Sequence, residues 1–236
     1  MSTYLLEIGT EELPAKFANS VINQFKSTIE YEFKKHFVKY QKLFCSSTPR
    51  RIVLYVEGLI DFGDDKTELR KGPKAESAFS EGMPTKAAIG FAKSLNLNIN
   101  DLEIKNTDKG EFVFGTKTEK GLATKGLISS IIPKTIKDLQ GQRFMKWGYG
   151  NFRFSRPIRW LLSLYNDEIL DFPLLGIDTN LNIGNFSRGH RLIKKYLEIN
   201  NSSQYFQILE RGGVLVKRHE RKNLITNLIN SSSEKL

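Results

Sequence analysis

The hydrophobic pattern at the start of the chain predicts a buried strand followed by a long amphipathic helix. Residues 3–8 are mostly apolar and alternate as a strand does, and a glycine and a threonine then interrupt them. From Leu13 to Phe33 apolar side chains recur every three or four positions, the spacing of one buried helix face. Glu11 and Glu12 precede this face, where acids favour a helix N-terminus, so we expect them to cap the helix.

Strand and helix signals alternate along the rest of the chain. Strands are predicted at residues 43–46, 51–59, 66–71, 102–105, 111–117, 152–154, 159–164 and 169–177, and helices at residues 85–95, 121–139, 205–209 and 218–229. Turn signals at residues 108–110 and 166–167 predict hairpins. The strand at 66–71 is expected to pair with the two before it, and Pro133 should kink or split its helix. The predicted fold class is α+β, with mixed or antiparallel sheets and packed helices.

A change in composition predicts where the first domain ends. Residues 200–203 are a polar cluster between a basic segment and two helix signals. We therefore expect an α+β domain over residues 1–198 and the start of a helical domain over residues 199–236. The apolar stripe at residues 224–229 still needs a partner to cover it, which predicts a chain that is cut short.

Composition indicates a folded protein in a reducing compartment. Hydrophobic residues make up 39% of the chain and charged residues 26%, the balance of an ordinary globular protein. No apolar run approaches the roughly 18 to 20 residues that a membrane helix needs. The first residues lack the basic and apolar regions of a secretory signal, so we expect a cytoplasmic protein. Its single cysteine, Cys45, excludes an internal disulfide and is expected to be a small half-buried residue.

Positive charge is in excess and is concentrated in one part of the chain. Lysine and arginine total 36 against 26 acids, a net charge of +10, which is weak evidence for nucleic-acid binding by itself. Residues 140–195 contain nine lysines or arginines and four acids, and six of the nine are arginines. The planar guanidinium fork suits phosphates and base edges.

Four arginine- or lysine-bearing motifs stand beside glycine, proline and aromatic residues. They occupy residues 48–51 (TPRR), 145–148 (MKWG), 154–160 (FSRPIRW) and 187–191 (SRGHR). Arginine next to a stacking ring is a combination that binds RNA phosphates and unpaired bases. The candidate RNA-binding residues are Arg50, Arg51, Lys146, Arg156, Arg159, Arg188, His190 and Arg191. Alternatively, Arg51, Arg156 and Arg159 form structural ion pairs, and Trp147 and Trp160 belong to the core.

The residues give no indication of a catalytic or metal site. There is no glycine-rich phosphate loop of either common kind. The three histidines have no metal-ligand spacing with one another or with the cysteine. We therefore name no catalytic residue and no metal ligand.

Seven motifs resemble the bacterial glycyl-tRNA synthetase β subunit family in order and approximate spacing. They are residues 7–14 (EIGTEELP), 48–51 (TPRR), 71–73 (KGP), 107–111 (TDKGE), 145–148 (MKWG), 154–157 (FSRP) and 187–191 (SRGHR). The resemblance covers nearly all of this chain but only about the first third of a family β subunit. Lys146 departs from the arginine that the family often has, which keeps the charge but loses the fork.

The resemblance implies a ligase of two α and two β chains that joins glycine to its tRNA using ATP. In that family the α subunit holds the class II catalytic domain, so ATP with Mg is expected there and none on this chain. The β subunit serves tRNA(Gly) recognition and assembly with the α subunit and a second β copy. The family's N-terminal region is similar to an α+β domain of the phenylalanyl-tRNA synthetase β chain, and a helical domain follows it.

Two other functions stay open at this point. One is a hydrolase that edits mischarged tRNA, which rests on fold analogy alone. The other is a scaffold that binds only protein.

Overall fold

The chain folds into alternating helices and strands. The structure is a computed structural model that describes residues 1–148, 151–173, 181–193 and 195–233. The strands are β1 (Ser2–Thr10), β2 (Lys42–Thr48), β3 (Arg51–Leu59), β4 (Lys66–Lys74), β5 (Phe79–Ser80), β6 (Met83–Pro84), β7 (Glu103–Thr107), β8 (Gly110–Glu119), β9 (Met145–Lys146), β10 (Arg153–Phe154), β11 (Ile158–Tyr165), β12 (Glu168–Ile169), β13 (Ile183–Gly184), β14 (Phe186–Ser187) and β15 (Leu197–Glu198). The helices are α1 (Ala15–Lys35), α2 (Ala75–Ala78), α3 (Lys86–Ser94), α4 (Thr124–Asp138), α5 (Tyr205–Arg211) and α6 (Arg218–Ser233), with short 3-10 turns at Ile99–Asp101 and Ser202–Gln204. This mixture of helices and mainly antiparallel sheets confirms the α+β class.

Two compact units divide the chain. The first combines Met1–Gly63 with Leu122–Leu236, and the second is Asp64–Gly121. In the part of the chain that the structure describes, no helix is long and apolar enough to cross a bilayer.

The first unit is built on a sheet with the strand order β12-β11-β1-β3-β2, and β13 also pairs with β11. All of these pairings are antiparallel except that of β13. Strand β1 therefore lies between β3 and β11, with Glu7 opposite Val53 on one side and Leu162 on the other. The first residues of the chain form the central strand of the sheet.

Helices cover both faces of this sheet. Successive side chains of a strand point to opposite faces. Tyr4, Leu6 and Ile8 pack in a core with residues of α1 and α4. Leu5 packs in a second core with residues of α5. Glu7 is two residues after Leu5 and points to the same face of the sheet. Its carboxylate therefore lies on the α5 side of the central strand.

Helix α1 has the predicted buried face but not the predicted start. Its buried residues are Phe17, Val21, Phe25, Ile29 and Phe33, which confirms the stripe. The helix begins only after Pro14, and no acid lies in its first turn.

The prediction that Glu11 and Glu12 cap α1 is therefore wrong. The physical reason is a competing partner, because the carboxylate of Glu11 accepts a hydrogen bond from the guanidinium of Arg159 at 2.8 Å.

Helix α4 is continuous through Pro133, so a split at this residue is wrong. Pro133 is buried with the apolar face of the helix, which includes Ile128, Ile132 and Ile136. Packing of that face against the sheet offsets the hydrogen bond that proline cannot make.

The end of the sheet next to β12 differs from the sequence prediction. The turn at residues 166–167 is confirmed, since β11 and β12 pair antiparallel around it. The strand predicted over 169–177 ends at Ile169, and residues 174–180 lie outside the described parts of the chain. Beyond Ile169 the chain turns towards α4, where the Asp171 carbonyl accepts from the Ser129 hydroxyl.

The second unit is a three-stranded antiparallel sheet with the order β4-β8-β7 and two short helices. The hairpin predicted around residues 108–110 is confirmed, with Gly110 at a φ of 102° that favours glycine. Thr85 caps α3, as the sequence predicts. Strand β4 pairs with β8 rather than with β2 and β3, so that prediction is wrong. Both edges of β3 are already occupied, by β1 and β2.

Residues after 198 also contact the first sheet. Ile199, Tyr205 and Leu209 are fully buried in the core on the α5 side. The boundary at residue 198 between an α+β domain and a helical domain stays a prediction.

Candidate nucleic-acid interface

Two of the arginine motifs meet at the end of β1. The backbone amide of Thr10 donates to the carbonyl of Arg50 at 2.8 Å, and that of Glu11 donates to the carbonyl of Pro157 at 3.2 Å. The segment that follows β1 is thus held between the turn after β2 and the segment before β11. Motifs about a hundred residues apart in sequence become neighbours.

Glu11 holds two arginines beside this segment. Its carboxylate pairs with the guanidinium of Arg159 at 2.8 Å and with that of Arg50 at 3.7 Å. All three side chains are partly exposed, so each pair stabilises the fold by less than about 1 kcal/mol. Glu11 thus orients two arginines on the surface.

A buried carboxylate lies beneath the motifs. Glu7 is fully buried and accepts three hydrogen bonds. Trp160 Nε1 and Ser187 Oγ each donate to its Oε1 at 2.6 Å, and the Tyr205 hydroxyl donates to its Oε2. Burial, and then the charge of Glu7, raises the pKa of Tyr205 well above its usual value, so the phenol stays protonated and continues to donate. This one carboxylate therefore links four elements by hydrogen bonds, namely β1, β11, β14 and α5.

Arg51 completes the buried cluster. Its side chain is 4% exposed, and its Nε lies 3.6 Å from Glu7 Oε1. Its Nη2 donates to the backbone carbonyl of Arg188, which joins the motif at 187–191 to the motif at 48–51. The internal ion pair expected for Arg51 is thus confirmed, whereas its assignment as an RNA-binding residue stays a prediction.

Trp160 stacks with two arginines above the cluster. The guanidinium of Arg188 lies 4.8 Å from the ring centroid and that of Arg51 lies 5.9 Å from it. On its other side the ring packs on Gly9, where a Cβ atom would overlap the indole. Trp160 is 9% exposed, so its assignment to the core is also confirmed.

These residues surround a concave site that we call the arginine pocket. It has a volume of about 400 Å³ and is lined by Glu12, Thr48, Pro49, Arg50, Arg51, Trp160, Arg188, Gly189, His190, Arg191, Gly213, Val214, Leu215 and Arg221. A neighbouring depression shares Glu12, Arg50 and Arg191 with it and adds Glu11, Leu13, Pro14 and Arg156. The lining holds five arginines and a single glutamate.

Of the eight candidate residues, seven lie at this face and one lies elsewhere. Arg50, Arg51, Arg188, His190 and Arg191 line the pocket, Arg156 lines the adjoining depression, and Arg159 is held by Glu11. Lys146 lies on the β9–β10 hairpin, is exposed, and donates to Asn151 Oδ1 at 3.0 Å. Trp147 is partly buried against the core and donates to the carbonyl of Phe154 at 3.0 Å.

Two residues of the site are missing from the sequence prediction. Glu7 could have been found as a single charge inside an otherwise apolar strand, because a buried charge requires a partner. Arg221 has no such signal, since it is one of several charged residues at the start of α6. Burial, and then the charges of Arg218 and Arg51, lowers the pKa of Arg221.

Neither Cys45 nor His190 has a partner suited to nucleophilic chemistry. Burial raises the pKa of the Cys45 thiol to about 12, so the reactive thiolate is absent near neutral pH. His190 Nδ1 accepts a hydrogen bond from the Leu192 amide at 3.4 Å. In the described ranges, no group of three or more His, Cys, Asp or Glu side chains could hold a metal ion. The editing hypothesis stays untested.

Comparison with known proteins establishes the family. A family model described as glycyl-tRNA synthetase beta subunit matches residues 4–236. The chain belongs to that family. Two relatives named glycine--tRNA ligase beta subunit, from Trichodesmium erythraeum and Synechocystis, are 40% and 38% identical over 99% and 100% of this chain. One of the same name from Clostridioides difficile is 37% identical over 95% of it.

This chain spans about one third of the length of these relatives, 33% in each of the three cases. The match confirms the family resemblance stated from the seven motifs.

Proposed function

We propose that this chain contacts tRNA(Gly) for a glycine–tRNA ligase, through the arginine pocket and the adjoining Arg156 and Arg159. The observation that carries the proposal is the convergence of three motifs, at residues 48–51, 154–160 and 187–191, on one face. If these arginines only held loops in place through ion pairs, they would not need to share one concave surface.

The chemistry of this face suits RNA. Guanidinium groups bind phosphate oxygens through paired N–H donors and stack on bases or aromatic rings. Arg156 is partly exposed, and in the described parts of the chain its guanidinium donates only to the neighbouring carbonyl of Ser155. Arg191 is exposed. Both can therefore reorient towards a phosphate without breaking a buried contact.

Catalysis is assigned to another polypeptide in this proposal. The class II catalytic domain, with ATP, Mg and glycine, lies on an α subunit, and two α and two β chains form the cytoplasmic enzyme. The resemblance to the family supports this division of labour, and Lys146 on its separate hairpin is a further RNA-binding candidate.

Replacing Arg156 or Arg191 by alanine is expected to weaken tRNA(Gly) binding about three- to tenfold for each change. A net contribution of roughly 0.5–1.5 kcal/mol per exposed contact sets this range. Fluorescence anisotropy with labelled tRNA(Gly) measures the affinity. Thermal unfolding of each variant should match the unchanged protein.

Arg211→Ala is the matched control for this experiment. Arg211 is an exposed arginine of the same unit, on α5, and does not line the arginine pocket. Its removal should leave the affinity unchanged. If Arg156→Ala or Arg191→Ala instead melts the protein, these arginines are structural and the site assignment is wrong.

A second candidate function is a scaffold that binds only protein. It is favoured by the apolar side chains of α6, since Leu224, Ile225, Leu228 and Ile229 are 47–62% exposed. Salt dependence separates the two functions, because an apolar interface does not weaken steeply with salt.

This chain by itself is expected to show no glycine-dependent ATP–pyrophosphate exchange. The reason is the proposed location of the class II site on the α subunit. Radiolabelled pyrophosphate incorporation into ATP measures the reaction, and the complete ligase is the positive control. Exchange by this chain alone would refute the division of labour.

A further inference from the structure

The arginine pocket contains hydrogen-bond donors that the protein itself leaves unused. A guanidinium has five N–H donors. Among the residues that the structure describes, the buried Nε and Nη1 atoms of Arg51 have no hydrogen-bond partner, whereas its Nη2 donates to the Arg188 carbonyl. Buried Nε of Arg50 also has no hydrogen-bond partner. Buried donors without an acceptor are destabilising, so their presence in the wall of a pocket indicates a missing acceptor.

Glu7 does not supply that acceptor. Its Oε1 already receives Trp160 and Ser187, and its Oε2 receives Tyr205. It lies 3.6 Å from Arg51 Nε, so it balances the charge of Arg51 without satisfying its hydrogen-bonding capacity.

The pocket also has more positive charge than its acids can balance. Among the described residues, five arginines line it, namely Arg50, Arg51, Arg188, Arg191 and Arg221. The acids near them are Glu12 in the lining, Glu7 beside Arg51 and Glu11 beside Arg50. Arg221 is fixed in place, since it donates to the carbonyls of Ser47, Leu215 and Val216. Burial lowers the pKa of Arg221, and the charges of Arg218 and Arg51 lower it further. A ligand with more than one negative charge matches this field best.

We propose that the arginine pocket binds a phosphate monoester, with the unused donors of Arg51 and Arg50 and the side chains of Arg188 and Arg191 as its ligands. A phosphate monoester carries about two negative charges near pH 7 and three acceptor oxygens. A phosphodiester within an RNA strand carries one, and so does a carboxylate. The pocket volume of about 400 Å³ admits the phosphate together with the nucleoside attached to it.

Two sources share this chemistry. One is the 5′-phosphorylated end of an RNA, a possibility that rests on the proposed function. The other is a free phosphate compound, which requires no RNA contact. The charge and the unused donors are the same for both, so the experiment has one arm for each.

The first arm compares two versions of one short RNA, with a 5′-phosphate and with a 5′-hydroxyl, binding to the intact protein that contains this chain. The phosphorylated RNA should bind about tenfold more tightly, as expected for one charge-assisted contact. Arg188→Ala and Arg191→Ala should reduce that preference to less than about threefold, whereas Arg211→Ala should preserve it. Equal affinity for both RNAs, with binding otherwise intact, overturns the inference for the RNA end and leaves the proposed function standing.

The second arm titrates inorganic phosphate by calorimetry, in the same proteins and without RNA. Saturable binding that Arg191→Ala weakens about tenfold assigns the pocket to a free phosphate compound, even if no RNA binds. Saturable binding together with the 5′-phosphate preference assigns it to an RNA end. Absence of both effects overturns the pocket as a phosphate monoester site. Arg51→Ala is not used, because loss of a buried charge threatens folding.

Discussion

Replacing Glu7 by alanine is expected to lower the free energy of unfolding by about 3–5 kcal/mol, the cost of removing one partner from a buried ion pair. The variant leaves the guanidinium of Arg51 buried without a countercharge and removes the acceptor of Trp160, Ser187 and Tyr205. Few domains have more than about 5–15 kcal/mol of stability, so the loss is large. Urea denaturation followed by tryptophan fluorescence measures it and also reports the environment of Trp160.

Two further variants separate the possible causes. Glu11→Ala removes a partly exposed carboxylate that also pairs with arginine, and it should cost less than about 1 kcal/mol. Glu7→Gln keeps an acceptor oxygen but no charge, so it should fall between the two. A loss below about 1 kcal/mol for Glu7→Ala would mean that Arg51 finds another partner, and the account of the buried cluster would be wrong.

Much of the fold could be predicted from hydrophobic periodicity because burial imposes it locally. The buried stripe from Phe17 to Phe33 packs on one side of the sheet, and its spacing of three to four residues identifies it in the sequence as one face of a helix. The strand at Arg51–Leu59 was predicted with its observed bounds. The hairpin β7–β8 follows from a turn signal whose glycine takes a positive φ.

Predictions of which residue or strand pairs with which were less accurate, because the pairing depends on segments that are distant in sequence. Glu11 has the position of a helix cap, yet its carboxylate pairs with Arg159, far along the chain. Strand β4 has the composition to extend the first sheet, yet β8 pairs with it in the second unit. Local sequence carries the tendency to form an element, but the competition between partners is decided by tertiary packing.

The candidate site could also be predicted only in part. Its cations could be predicted, because arginine beside glycine, proline and tryptophan is visible in the sequence. Glu7 is visible as a single charge in an apolar strand, but nothing in the sequence indicates that Trp160, Ser187 and Tyr205 would meet it there. The sequence also could not distinguish the positions of Arg51 and Arg188. Arg51 is internal, whereas Arg188 stacks on Trp160 at the pocket wall.

Binding of tRNA(Gly) is expected to weaken roughly a thousandfold as monovalent salt rises from about 50 to 200 mM, because binding releases counterions from about six phosphates. Besides the buried Arg51, six arginines lie at the proposed face, namely Arg50, Arg156, Arg159, Arg188, Arg191 and Arg221. Each phosphate that is neutralised contributes close to one unit to the slope of log affinity against log salt. Anisotropy titrations at four or five salt concentrations give this slope.

The double variant Arg188→Ala with Arg191→Ala should reduce the magnitude of that slope by about two, because two phosphate contacts are lost. Arg211→Ala, which removes the same type of charge outside the pocket, should leave it unchanged. A slope near zero in the unchanged protein would instead favour the protein-only scaffold, with the apolar face of α6 as its contact surface. A steep slope that the double variant does not alter would place the RNA contact elsewhere. Lys146 on the β9–β10 hairpin is then the next residue to change, because it is the exposed candidate that lies away from this face.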